Sequence, residues 1–122
     1  MEIQVLYKLI DTIFLAQKKA RHNNDYLTLM VNAEALLENL PTLINYSIDQ
    51  ESQYRKFEAK LASEEIEGKK PTGSYCETQA KATDFYKEWQ KAKLFIDLMY
   101  EMVALSKKLA GSVDKELSAS TR

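Results

Sequence analysis

The chain has one histidine, His22, and one cysteine, Cys76, the only pair from which a cysteine nucleophile and an imidazole base could be built. Cys76 falls in the first turn of an expected helix, where a thiol's pKa can be lowered. No third side chain is placed to orient the base, so a passive thiol is the simpler reading. Metal-binding bundles pair glutamates with Glu-x-x-His, and here Lys19 stands where that glutamate would be. A single cysteine also excludes an intrachain disulfide and a thiolate zinc knuckle. Residues Gly68 to Ser74 spell G-x-x-x-x-G-S. The lysine of a phosphate-binding loop is missing, and the flanking segments read as helices rather than strand and helix. Glu64, Glu65 and Glu67 could hold a cation or a basic partner, but a solvated acidic helix end explains them as well. No catalytic, metal or cofactor residues are assigned. The chain reads as a non-enzyme with no cofactor and no small-molecule substrate.

Binding chemistry has more material. Tyr75, Phe85, Tyr86, Trp89, Phe95 and Tyr100 crowd the C-terminal half, interleaved with Lys81, Lys87, Lys91 and Lys93. Aromatics at helical spacing usually form core; the alternative is a stacking platform for a nucleic-acid single strand. Cations cluster as Lys18, Lys19 and Arg21 beside His22, as Lys69 with Lys70, and as Lys107 with Lys108. Lys18, Lys19, Arg21, Lys69 and Lys70 are therefore the candidate nucleic-acid contacts. The net charge of −1 makes no case for nucleic acid by itself. It conceals a segregation: residues 1–24 carry +2, 25–67 carry −6, 68–95 carry +3, and the rest is neutral. Such alternation suits pairing within or between subunits.

The elements that must position these groups are helices. With 3 Gly and 2 Pro in 122 residues, long uninterrupted segments are favoured, and 45% hydrophobic with 29% charged residues is ordinary for a globular chain. Apolar residues at Ile3, Leu6, Leu9, Ile10, Ile13, Phe14 and Ala16 predict a helix over 2–22, with a stop and a new cap at Asn23-Asn24-Asp25. A second helix is expected over 25–38 and a third over 42–66, separated at Pro41, which either starts a fresh helix or kinks a continuous one. Ser74-Tyr75-Cys76-Glu77 matches an S-x-x-E capping box and opens a helix over 75–110, ended by Gly111 as a C-terminal cap. Along it, Tyr75, Thr78, Ala82, Phe85, Trp89, Ala92, Ile96, Met99, Val103, Ser106 and Ala110 alternate steps of three and four, a coiled-coil-like seam. Phe95, Leu98, Met102, Leu105 and Leu109 form a second row, and a helix apolar over so wide an arc needs more than one neighbour.

The expected fold class is all-α: an elongated bundle of three to four helices with a long C-terminal helix, one domain over 1–112 and a flexible tail over 113–122. Four segments are preferred, with reversal at Pro41; in that arrangement the Lys18–Arg21 cluster and the Lys69-Lys70 loop fall at one end and merge. No apolar run approaches the 18 residues of a membrane span. The acidic start Met1-Glu2-Ile3-Gln4 argues against a signal peptide, so a cytoplasmic location is expected.

The order Tyr54-Arg55-Lys56, acidic stretch, Gly/Lys loop, then a long helix with Trp89, Asp97 and Leu105-Ser106-Lys107-Lys108-Leu109 resembles small helical bacteriophage proteins. It is most similar to the recombination mediators that load a recombinase onto single-stranded DNA. The resemblance covers about residues 50–110 and implies an all-α, oligomeric, phage-encoded protein that binds single strands through basic residues. The chain departs from it near the end of the last helix, where the basic-aromatic cluster is reduced to Lys107-Lys108. The functional expectation is a non-enzymatic accessory or adaptor protein that self-associates through its last helix, with Phe85, Trp89, Ile96, Met99 and Val103 as the association seam. A single-stranded nucleic-acid-binding accessory protein and a virion assembly or connector component are the alternatives.

Overall fold

The computed structural model describes residues 2–120, without the side chains of Ala110 and 112–120. The chain is all-α, with helices α1 (Ile3–His22), α2 (Tyr26–Ser63), α3 (Gly73–Lys81) and α4 (Asp84–Ser120), and no strand among the described residues. It divides into two compact units. The first comprises Met1–Leu43 and Ile96–Arg122, and the second Ile44–Phe95.

Four helices are present, but they are divided differently from the expected four. Pro41 lies inside α2, which neither stops nor reverses there. The buried positions of α2 explain why: Leu29, Ala33, Leu36, Leu40, Leu43, Ser47 and Tyr54 keep one heptad phase straight through the proline. Continuous burial on both sides outweighs one lost backbone hydrogen bond, and Pro41 itself faces solvent. Pro41→Ala should therefore stabilise the protein by about 2 kcal/mol. It removes a helix-interior penalty of about 3 kcal/mol and gives back up to ~1 kcal/mol of unfolded-chain entropy. Urea denaturation checks this, and a destabilised variant would show that packing depends on the proline.

The break that was not expected falls inside the predicted 75–110 helix. At Ala82-Thr83 the backbone turns, with Ala82 N–H donating to Gln79 O (3.2 Å) and Thr83 N–H to Ala80 O (3.1 Å). The Thr83 hydroxyl donates to Ala80 O at 2.6 Å and receives the Tyr86 N–H at 3.4 Å. A threonine that bonds its own backbone competes with the helix and caps the next one, and Asp84 in the first turn of α4 suits the dipole. The break changes the phase. Upstream of it Tyr75, Thr78 and Ala82 are exposed, while Cys76 and Ala80, one turn apart, are buried. The seam holds from Trp89 to Ser106.

Other ends follow local chemistry. Asp25 caps α2, accepting the Thr28 N–H (3.2 Å) and hydroxyl (2.6 Å), and these bonds hold its carboxyl below the usual range. Asn24, at φ 54°, makes the left-handed turn that lets Asp25 N–H reach Ala20 O at 2.8 Å. The cap of α3 is Thr72, accepting Tyr75 N–H at 3.1 Å, rather than Ser74. Glu77, expected to complete a capping box, instead pairs with Lys81 at 2.6 Å, and that lysine's hydrogen bond and charge lower its pKa. Between α2 and α3, Ile66 and Lys69 exchange two backbone hydrogen bonds around Glu67 and Gly68, both at positive φ. Gly111 does not end α4: a single interior glycine costs a helix about 1 kcal/mol, which need not break it. The side chains of the expected 113–122 tail, and residues 121–122 altogether, lie outside the described residues.

Candidate functional site

In the first unit, α1 buries Leu6, Ile10, Ile13, Gln17 and Ala20, again in alternating steps of four and three. Gln17 thus occupies a core position, at 2% exposure. Its Nε2 donates to Leu29 O (3.1 Å) on α2 and to Ser106 Oγ (2.7 Å) on α4, joining the three helices. Ser106 Oγ in turn donates to Met102 O at 2.8 Å. Because Leu29 O can only accept and the Ser106 proton is committed to Met102, the amide orientation is determined. Gln17 Oε1 is left buried with no donor. A buried acceptor without a partner costs about 1–3 kcal/mol, so it calls for an explanation.

The residues of this polar layer open on a groove between α1 and α4. One end is a pocket of about 140 Å³ lined by Gln17, Leu29, Met102, Leu105, Ser106 and Leu109, with Lys18 and Arg21 beside them. It continues, sharing Lys18 and Met102, into a broader recess of about 450 Å³ formed with Asp11, Phe14, Leu15 and Leu98. Leu15 is 68% exposed. Neither Lys18 nor Arg21 is in an ion pair among the described residues.

The second unit centres on aromatics. Tyr54 is buried, stacks on Trp89 at 5.5 Å between centroids and meets Tyr86 at 5.2 Å; Tyr86 and Trp89 meet edge-on at 6.0 Å. Arg55 lies 5.5 Å and Lys93 5.1 Å from the Trp89 ring centre. Burial raises the Tyr54 phenol above its ordinary pKa, and the neighbouring Glu58 pushes it the same way. The Tyr46 hydroxyl donates to Glu88 Oε2 at 2.8 Å.

The expected site residues are placed as follows. Of the association seam, Met99 and Val103 are buried within their own chain, Ile96 and Trp89 are half-buried, and Phe85 is exposed. Phe85 lies in the first turn of α4, ahead of the buried part of the row, and the chain's own core takes up Met99 and Val103. The adjacent row is the open one: Leu98 is 37% exposed, and Met102, Leu105 and Leu109 are half-buried along the groove. Of the candidate nucleic-acid contacts, Lys18, Lys19 and Arg21 are exposed in the first unit, and Lys69 and Lys70 are exposed in the second. The merged patch required a reversal at Pro41 that α2 does not make. Of the aromatics expected to stack on a single strand, Tyr86 and Trp89 contact each other and Trp89 its own cations, while Tyr75, Phe85 and Tyr100 are exposed. His22 is exposed at the end of α1, and Cys76 is buried in α3. Glu64, Glu65 and Glu67 are exposed. Among the described residues, no group of three or more His, Cys, Asp or Glu converges as a metal site, and no helix is long and apolar enough to cross a membrane.

Gln17 is the residue that sequence reasoning missed. Its signal was the heptad Leu6, Ile10, Ile13, Gln17, Ala20, in which one polar residue interrupts an otherwise apolar row. Compared with protein-family models, curated proteins and solved structures, the chain matches none.

Proposed function

We propose that this protein is a non-enzymatic helical accessory protein that works by self-association, and that its first unit carries the contact. One observation supports this above the others. On α4 the Met99, Val103 and Ser106 row is spent on the chain's own core, while the adjacent row of Leu98, Met102, Leu105 and Leu109 stays open to a groove. An apolar groove beside a partly exposed leucine and methionine row is the kind of surface into which an amphipathic helix docks.

Light scattering across a concentration series is the test. The expected result is a mass above that of one chain, falling to monomer on dilution. Leu98→Asp should lower the mass to monomer while leaving thermal stability within about 1 kcal/mol, since Leu98 is partly exposed. A strict monomer at the highest concentration would overturn the proposal.

A further inference from the structure

The groove has two features that an apolar helix alone would not satisfy: Gln17, a lining residue whose buried Oε1 has no donor, and the cations Lys18 and Arg21. An occupant that fits carries a ring with an O–H or N–H donor and carboxylates beside it. A cavity of about 150 Å³ is known to admit a benzene-sized ring, so the 140 Å³ pocket has room for one phenol. The first unit itself displays such a group. Tyr100 on α4 is 52% exposed, and Asp97 and Glu101, both exposed, lie on the same arc of the helix.

We propose that Tyr100 of a second copy enters the Gln17 pocket, its hydroxyl donating to Gln17 Oε1 while Asp97 and Glu101 pair with Lys18 and Arg21. The proposal rests on the self-association reading and specifies its contact. The charge pattern extends beyond the pocket. Asp11 lines the far end of the groove, seven residues before Lys18, a separation of roughly 10.5 Å along α1. On α4 the exposed Lys107 follows Tyr100 by seven residues, the same distance on the same face. A partner α4 laid antiparallel in the groove therefore brings Lys107 to Asp11 as Tyr100 reaches Gln17.

The geometry also determines the symmetry. Tyr100 and the groove-lining Met102, Leu105 and Leu109 are about half a turn apart around α4, at roughly 100° per residue. One copy cannot give its Tyr100 to a partner and receive that same partner's Tyr100. The contact is head-to-tail, and head-to-tail contacts build rings or open filaments rather than closed two-fold dimers.

A charge-swap mixing experiment tests this. Lys18→Glu/Arg21→Glu keeps the Tyr100 face and loses the groove; Asp97→Lys/Glu101→Lys does the reverse. Each variant alone should be monomeric by light scattering, with wild-type helicity by circular dichroism. Mixed in equal amounts they should form complexes of more than two chains, because the intact face fits the intact groove and the lysine-bearing face fits the glutamate-bearing groove, so that a head-to-tail chain continues where a two-fold contact would stop at two. Tyr100→Phe should weaken wild-type association about tenfold, and should have little further effect in a Gln17→Met background. Wild-type mass that stays monomeric at every concentration removes both this contact and the self-association reading. Wild type that associates while Asp97→Lys/Glu101→Lys associates equally well, or while the mixture stays monomeric, overturns this contact and leaves self-association standing.

Discussion

Replacing Leu36 with alanine should destabilise the protein by about 3–4 kcal/mol, the larger of the two biggest stability changes expected of a single residue here. Leu36 is fully buried, in the middle of the α2 row and in the unit that also buries Leu6, Ile10 and Leu43 completely. Truncation removes the transfer free energy of the lost methyl groups and leaves a cavity. That cavity has little means of closing, because Gln17 ties α1 to α4 and to α2, the latter two turns from the site at Leu29. Leu37→Ala is the internal control: Leu37 is 39% exposed, and its loss should cost less than about 1 kcal/mol. Urea denaturation followed by circular dichroism measures both. Equal effects at the two positions would contradict the assignment of the core face of α2.

In the second unit the corresponding change is Trp89→Ala, expected to cost about 3 kcal/mol, the low end of the range for large aromatics because the ring is half-buried. What it loses is specific: a stacked contact with Tyr54, an edge contact with Tyr86, and the ring under Arg55 and Lys93. Aromatic pairs contribute about 0.5–1.5 kcal/mol beyond area, and exposed cation–π contacts about 0.5–1 kcal/mol. Trp89→Phe keeps the ring stack and should recover more than half of the loss. Trp89 is the only tryptophan in the chain, so its fluorescence reports the second unit in the wild type. The Trp89→Ala variant must be followed by circular dichroism. A change within ordinary surface noise, about 0.5 kcal/mol, would mean that the ring is a free surface rather than part of the core.

How far the sequence could be read differs from element to element. The end of α1 and the new cap within Asn23-Asn24-Asp25 were legible because each depends on a residue and its immediate neighbours. At Pro41 the preferred reversal gave way to the alternative of one continuous helix, because a local rule, that proline ends helices, was set against a nonlocal pattern that had to be traced through Ser47, a polar residue in a core position. Thr83 was passed over for the opposite reason. It is neither glycine nor proline, and the heptad count runs across it unbroken on paper although the backbone does not. Gln17 and Ser106 lie 89 residues apart, and only packing shows that each is the other's partner.

The all-α class, the long last helix and its wide apolar arc were determined by the sequence alone, since breaker count and three-and-four spacing are properties of the chain. Which apolar row of that helix is spent on the chain's own core, and which is left beside Gln17 and the Lys18–Arg21 rim, was decided by the tertiary structure. Periodicity says that a face must be covered, but only the arrangement of the neighbouring helices says what covers it.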